Sequence, residues 1–320
     1  MATLLRWVFD AVSARQGGPP DAMAVTYPAN WGEYRKEIFG QAVRQIDVAA
    51  PVLVTEPEAA AIRYAALSRI QSGQAIGVYD LGGGTFDAAV LQREGNEFQL
   101  VGRPAGIEQL GGVDFDDAVF DHVRRTVGER ALEVDLTDPA VVAALHQLRR
   151  DCVLAKEALS HDVETAIPVN LPGTNTIVRL TRGEFEDTIR PLLLETVGSF
   201  RRSLESAGCD PQDLAAVLLA GGSSRIPLVA ELLAADLGRP VAVNADPKQI
   251  VAMGPRCAWP TFAALSRSNG RSRCRPIRRP ICLPSSWNRS RSRNRIRRRY
   301  SRPHQHRTFP VSVRQGDFGH

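Results

Sequence analysis

The stretch "VYDLGGGTFD", residues 78–87, places three consecutive glycines between two aspartates. Glycine N–H groups can approach an anion without interference from a Cβ atom. Asp80 ends an apolar run, a position from which a carboxylate can hold a magnesium ion through water. Thr85 offers a hydroxyl to phosphate or to an attacking water, and Asp87 begins the next apolar run. The motif therefore suits phosphoryl transfer, and a loose hairpin turn is the open alternative.

A second motif, "LLAGGSSRIP", follows an apolar run with Gly221-Gly222 and two serines. It predicts a strand that turns into a helix whose N-terminus carries Ser223 and Ser224. Free N–H groups and the helix dipole favour a nucleotide there, and Arg225 could stack on a base. An ordinary strand–helix turn with a serine cap explains the same residues.

Two isolated residues are further candidates. Glu56, in "VTEPEAAA", ends a predicted strand and could orient water for hydrolysis. The simpler interpretation is an acid in the first turn that complements the helix dipole. Lys156, in "LAKEALS", could reach a base or a ribose, although a lone lysine on a long helix is usually solvated.

The elements that must position these residues alternate between strand and helix. "AMAVTYP" and "APVLVTEP" are each followed by a helical pattern, which predicts parallel strands. The stretch from residue 75 to 107 predicts a meander of short strands. Capping boxes at Thr55/Glu58 and Thr181/Glu184 mark two helix starts. Other predicted elements are an N-terminal amphipathic helix, helices entered at Gly111-Gly112 and Pro139, a hairpin that turns near Pro172-Gly173, a strand "PVAVN" and a closing helical segment "DPKQIVAMG".

Composition predicts a globular chain of two domains. The 320 residues are 43% hydrophobic and 23% charged. No apolar run approaches the ~18 residues of a membrane span, so no membrane association is expected. Five cysteines without a CxxC pair argue against a disulfide framework or a zinc site, and favour a cytoplasmic location.

Charge divides the chain near residue 254. Residues 255–320 contain 17 arginines and a single acid, a net charge of +16, which leaves −11 on residues 1–254. The tail lacks periodicity and is predicted to be disordered. Nonspecific nucleic-acid binding is one interpretation. An out-of-frame coding segment is the favoured one, since arginine, serine and proline runs arise from shifted GC-rich DNA.

The order of motifs along the chain is more specific than any motif alone. "AVTYPANW", "TEPEAAAIRYA", "VYDLGGGTFDAAVL", "QLGGVDFD", "AKEALS", "LTRGEFE" and "VLLAGGSSRIPLV" follow one another at fitting distances. From about Leu4 to Gly254 the chain resembles the ATPase domain of the 70-kDa heat-shock (DnaK-type) chaperones. The resemblance implies the actin-like ATPase fold, with ribonuclease-H-like lobes.

The resemblance also assigns roles to individual residues. It implies ATP or ADP with Mg²⁺ as cofactors, and it makes Asp80 the magnesium-associated aspartate, through water. Glu56, Asp80 and Thr85 become the catalytic set, and Pro28 a switch between lobe contacts. The nucleotide contacts implied are Gly82, Gly83, Gly84, Thr85 and Asp87 in the phosphate loop, Gly111 and Gly112 beside it, and Lys156, Ser160, Gly221, Gly222, Ser223 and Arg225 around adenosine.

The sequence departs from the family pattern in several places. A first phosphate loop of "DxGTT" type and the lysine that follows it are missing. Glu157 stands where an arginine often covers the adenine, and Lys248 where the family has an aspartate. The expected organisation is a remnant of lobe I at 1–69, an intact lobe II at 70–254 with a subdomain at about 112–189, and the tail at 255–320.

These departures shape the expected function. We expect a nucleotide-binding chaperone-type ATPase domain with impaired hydrolysis, or alternatively a non-hydrolysing binding remnant. Co-chaperones or a nucleotide-exchange factor are the implied protein partners. Binding of unfolded clients is not expected without a peptide-binding domain.

Overall fold

The computed structural model describes residues 1–20, 22–46, 51–68, 70–128, 134–241 and 246–257, without the side chains of the last two. The helices are α1 Ala2–Gln16, α2 Glu33–Arg44, α3 Glu56–Ala65, α4 Gly112–Val127, α5 Pro139–Leu159, α6 Arg182–Ala207, α7 Pro227–Leu237 and α8 Ile250–Cys257. The strands are β1 Ala24–Tyr27, β2 Val52–Thr55, β3 Ala75–Leu81, β4 Phe86–Glu94, β5 Glu97–Ile107, β6 Glu164–Leu171, β7 Thr174–Thr181 and β8 Leu214–Ala220. This is the mixed α/β fold predicted from the sequence.

A four-stranded sheet in the order β5-β4-β3-β8 supports the rest of the fold. β3, β4 and β5 form the predicted antiparallel meander, and β8 lies parallel to β3. The central strands are apolar on both faces, as expected for strands covered by helices on either side. One face packs on a large cluster that includes Tyr79, Phe115 and Phe200, and the other on a smaller cluster that contains Ala60 and Ile250.

The predicted parallel pairing of the first two strands is confirmed. β1 and β2 pair along their full length, with Ala24 opposite Val52 and Tyr27 opposite Thr55. Among the described residues these two strands pair only with each other, and Leu53 is 41% exposed. α1, which precedes them, has no buried residue, and its Trp7 is 66% exposed.

α3 begins where the sequence predicts. The Thr55 hydroxyl accepts from the Glu58 backbone N–H, and the Glu58 carboxylate accepts from the Thr55 N–H. This capping box fixes the helix start directly at the end of β2. The buried alanines of α3 then pack on the four-stranded sheet, so the helix joins the β1–β2 pair to that sheet.

α8 extends beyond the predicted end of the ordered chain. The sequence suggested that the fold stops at Gly254, but the helix continues through Cys257. Gly254 does not end the helix, because it is the point at which α8 crosses α3: a Cβ there would lie 1.8 Å from the Ala59 carbonyl oxygen. Most of the predicted strand "PVAVN", and the tail from residue 258 onward, lie outside the described residues.

This crossing gives a stability prediction. Gly254→Ala should lower the free energy of unfolding by about 1–3 kcal/mol, because α8 must move away from α3 to admit the methyl group. Urea denaturation followed by circular dichroism measures the change. Gly183→Ala is the matched control: nothing lies within 4 Å of its added Cβ in the first turn of α6, so we expect no loss of stability. Equal changes in the free energy of unfolding for the two substitutions would contradict the close contact of α8 with α3 at Gly254.

Candidate functional site

The glycine loop Gly82–Thr85 connects β3 to β4. The Gly82 N–H donates to the Thr85 carbonyl at 2.9 Å, and the flanking residues Leu81 and Phe86 are buried and paired. Gly83, Gly84 and Thr85 are exposed. Two buried strand ends thus hold an exposed loop in a fixed place.

The loop docks on the start of α4. The N–H groups of Gly112 and Val113 donate to the carbonyls of Gly82 and Gly83, at 3.0 and 2.7 Å. The Gly82 carbonyl also accepts from the Ser223 hydroxyl at 2.8 Å. Because a trans peptide points its N–H away from its C=O, the N–H groups of Gly83 and Gly84 point away from α4. Two neighbouring N–H donors on an exposed loop are suited to an anion.

Gly111 permits this docking. A Cβ at Gly111 would lie 2.6 Å from the Gly84 nitrogen, a distance that real Cβ atoms essentially never show. The Gly111 N–H itself donates to the Asp114 carboxylate at 2.7 Å, which fixes the entry into α4. The "LGG" at the start of α4 therefore lets the backbone of the helix start contact the backbone of the glycine loop.

Three carboxylates gather at the end of β3. Asp80 and Asp87 lie opposite each other in the antiparallel pair, and Glu56 begins α3. Burial first, and then the charges of Glu56 and Asp87, raise the pKa of Asp80 to about 7. Burial first, and then Glu108, raise the pKa of Asp87 to about 6. Burial and the charge of Asp87 also raise the pKa of Glu56. Interaction with the helix dipole alone therefore does not describe the environment of Glu56.

This carboxylate set fits a hydrated cation. Repulsion between desolvated acids is relieved by positive charge or by a proton. Within the described residues, no three His, Cys, Asp or Glu groups are arranged to hold a metal ion directly. A magnesium ion held by Asp80 through water is compatible with that arrangement, and it remains a prediction.

Lys156 is not a solvated lysine. Its ammonium group donates to the Gly112 carbonyl at 2.8 Å and lies 2.7 Å from an Asp116 carboxylate oxygen, and its side chain is only 12% exposed. It thereby brings a positive charge to the first residue of α4, beside the Ser223 hydroxyl. Ser160, four residues later, ends α5. The sequence motif "VDFDDA" gave no signal that Asp116 would be the lysine's partner.

The second glycine turn differs from its prediction. Ser223–Arg225 form a short 3-10 turn, and α7 starts only at Pro227. The helix therefore does not begin at the serines, because Pro227 supplies the preferred first residue. Neither serine caps it: Ser223 bonds to Gly82, and the Ser224 hydroxyl donates to the Gly221 carbonyl at 2.8 Å. Arg225 pairs with Asp246 at 2.7 Å.

Asn30 is a site residue that the sequence did not reveal. Asn30 lies two residues after Pro28, the residue that follows β1, and its amide donates to an Asp87 carboxylate oxygen at 2.6 Å. Arg35 in α2 adds an ion pair to Glu108 at 2.7 Å. Asn30 thus links the segment after β1 to the carboxylates, and Arg35 links α2 to the nearby Glu108. The long sequence separation of both contacts hid them.

The sequence of the chain matches a known protein family over most of its length. The sequence model of the family described as "Hsp70 protein" matches residues 1–259. This chain belongs to the Hsp70 family. It is 34% identical over 255 residues to the chaperone protein HscA of Salmonella paratyphi B, covering 79% of this chain and 39% of that protein. It is 35% identical over 253 residues to HscA of Pectobacterium carotovorum, covering 77% and 38%.

The match spans less than two fifths of the length of those relatives. Membership in the Hsp70 family supports an ATP-binding, chaperone-type ATPase domain with the mixed α/β fold described above. None of the described helices is long and apolar enough to cross a membrane.

Protonation of Asp80 should make the stability of this Hsp70 chain depend on pH. The folded protein keeps this proton up to about pH 7, whereas the unfolded chain releases it near the ordinary value of 3.8. The free energy of unfolding should therefore fall by about 1–4 kcal/mol as the pH rises through that window. Asp80→Asn should reduce this dependence, with Asp87 and Glu56 keeping part of it, as measured by urea denaturation in EDTA without nucleotide. The exposed Asp10→Asn control should keep the wild-type slope, and an unchanged slope in Asp80→Asn would contradict the burial of this carboxylate.

Asn30 gives a second prediction. Asn30→Ala removes a hydrogen bond to the ionised form of Asp87, so the pKa of Asp87 should rise further above about 6. Carboxyl ¹³C NMR titration measures it. Gln41→Ala, which removes a similar exposed amide–carboxylate contact to Glu37, is the control. An Asp87 titration identical in wild type and Asn30→Ala would refute the contact.

Proposed function

We propose that this chain binds ATP and ADP with Mg²⁺ at the Gly82–Thr85 loop, as an Hsp70-type ATPase domain. The docking of that loop on α4 carries the proposal, because it turns the N–H groups of Gly83 and Gly84 toward the exposed side. A phosphate there would also meet the Thr85 hydroxyl. These are the components that phosphoryl-transfer proteins use to position phosphate.

The acids supply the second component of the site. Magnesium, when bound, would neutralise phosphate charge, and Asp80 would hold its water shell. Asp87 would close the loop from the strand opposite, and Glu56 would orient the water that attacks. Because burial raises the pKa of Asp80 to about 7, Asp80 would have to release its proton in order to hold the water shell as a carboxylate.

The adenosine end is proposed at Lys156, Ser160 and the Gly221–Arg225 turn. The Ser223 hydroxyl supports this placement, since it joins that turn to the Gly82 carbonyl. The phosphate and adenosine ends are thus linked through one backbone oxygen. The Arg225 guanidinium, one-third exposed and paired with Asp246, would stack on the base.

Slow hydrolysis is part of the proposal. Residues 1–320 contribute one motif of this type, the Gly82–Thr85 loop, and the proposal concerns hydrolysis by these residues alone. Without an opposing donor set, fewer preorganised charges stabilise the transition state, so hydrolysis should be slow. Lobe I at 1–69, lobe II at 70–254 and a cytoplasmic role alongside co-chaperones or an exchange factor are proposed on the family resemblance.

The loop geometry makes binding testable. Calorimetry with ADP and Mg²⁺ should detect binding by the wild type, and Gly111→Ala should weaken it by about tenfold or more, since the new Cβ displaces Gly84. Gly183→Ala should bind as the wild type does. Absence of ADP binding by the wild type would overturn the proposed function, and full affinity in Gly111→Ala would overturn the loop docking as its basis.

Turnover is tested separately. Purified wild type and Asp80→Ala should release phosphate from ATP at similarly low rates. Wild-type turnover well above that of Asp80→Ala would contradict slow hydrolysis while leaving nucleotide binding in place.

A further inference from the structure

The segment Asp246–Lys248 lies across the outer side of the Gly221–Arg225 turn. The Gly221 N–H donates to the Pro247 carbonyl at 3.2 Å. Asp246 pairs with the Arg225 guanidinium at 2.7 Å, with both side chains about one-third exposed. These two contacts, one from the backbone and one from a side chain, fix the segment against the turn.

Lys248 continues from this anchored segment over Gly222. A Cβ on Gly222 would lie 2.7 Å from Cε of Lys248, and 3.3 Å from its Cγ, so the lysine stem covers that face of the glycine. Its ammonium group then reaches a Glu157 carboxylate oxygen on α5 at 3.3 Å. The side chain therefore spans from the glycine turn to the helix that carries Lys156.

The span crosses the place proposed for the nucleoside. Gly222 and α5 are two sides of the proposed adenosine end, and one face of Gly222 cannot contact both a nucleoside and the Lys248 stem. We propose that Lys248 is a gate that determines nucleotide affinity: it occupies the nucleoside position in the free protein and must swing away before a nucleotide binds. This inference rests on the proposed function of the same site.

The contacts of the gate suit a side chain that opens. Lys248 and Glu157 are 45% and 51% exposed, and exposed ion pairs are weak. The more protected contacts of Asp246 and Pro247 keep the backbone in place while the lysine moves. The apparent affinity for nucleotide is lowered by the fraction of molecules in which the gate is closed.

Two substitutions that change the net charge in opposite directions distinguish a gate from a simple electrostatic effect on nucleotide binding. Glu157→Gln makes the chain more positive, whereas Lys248→Ala makes it less positive. Long-range attraction for ADP would change in opposite directions, but loss of the gate should strengthen binding in both. We expect about a two- to five-fold gain in ADP affinity for Glu157→Gln, and a larger gain for Lys248→Ala, which also uncovers Gly222.

Calorimetry with ADP and Mg²⁺ on the full chain is the measurement. Lys36→Ala is the matched control, because Lys36 forms an exposed ion pair with Glu33 at 3.0 Å on α2, and its affinity for ADP should equal that of the wild type. Changes of opposite sign in the two gate variants, no change, or weaker binding in Lys248→Ala would overturn the gate alone. A wild type that binds no ADP would overturn the proposed function and the gate together.

Discussion

The site depends on a single backbone atom, the Gly82 carbonyl oxygen. It accepts from the Gly112 N–H at the start of α4 and from the Ser223 hydroxyl after β8, at 3.0 and 2.8 Å. Three chain segments far apart in sequence are therefore fixed around one peptide group. This constraint sets the orientation of the Gly83 N–H. In a trans peptide the N–H points opposite to the C=O, so holding the Gly82 C=O against α4 turns the Gly83 N–H away from it. That orientation makes the loop capable of receiving a phosphate.

The electrostatics of the site oppose its own stability. Asp80 and Asp87 face each other across a strand pair, and burial is the largest cause of both raised pKa values. Like charges opposite each other on neighbouring strands are unfavourable. The sheet tolerates this pair because the burial of apolar side chains of β3, β4 and β8 offsets its cost. A proton or a positive charge near the pair relieves this cost.

Local chemistry made most elements predictable. The signals that were read correctly each involve only a few neighbouring residues. They are the capping boxes at Thr55 and Thr181, the turn at Pro172-Gly173 and the αL glycine Gly238 after α7. The meander and the parallel β1–β2 pair followed from apolar periodicity. The end of α8 was missed because Gly254 is normally a stop signal, and only the crossing with Ala59 shows that it serves a close helix contact here.

The sequence by itself determined which residues are candidates for chemistry: the Asp80 motif, its glycine loop, the "LGG" at the start of α4 and the "GGSSR" turn. Their spacing and order were sufficient to identify the family. Only the tertiary structure decided their partners. Asn30 meets Asp87, Lys156 meets Asp116 and Gly112, and Lys248 reaches Glu157, across 57, 44 and 91 positions of sequence in the hydrogen-bonded pairs. Side-chain contacts of that separation depend on how helices and strands pack, and no local pattern encodes them.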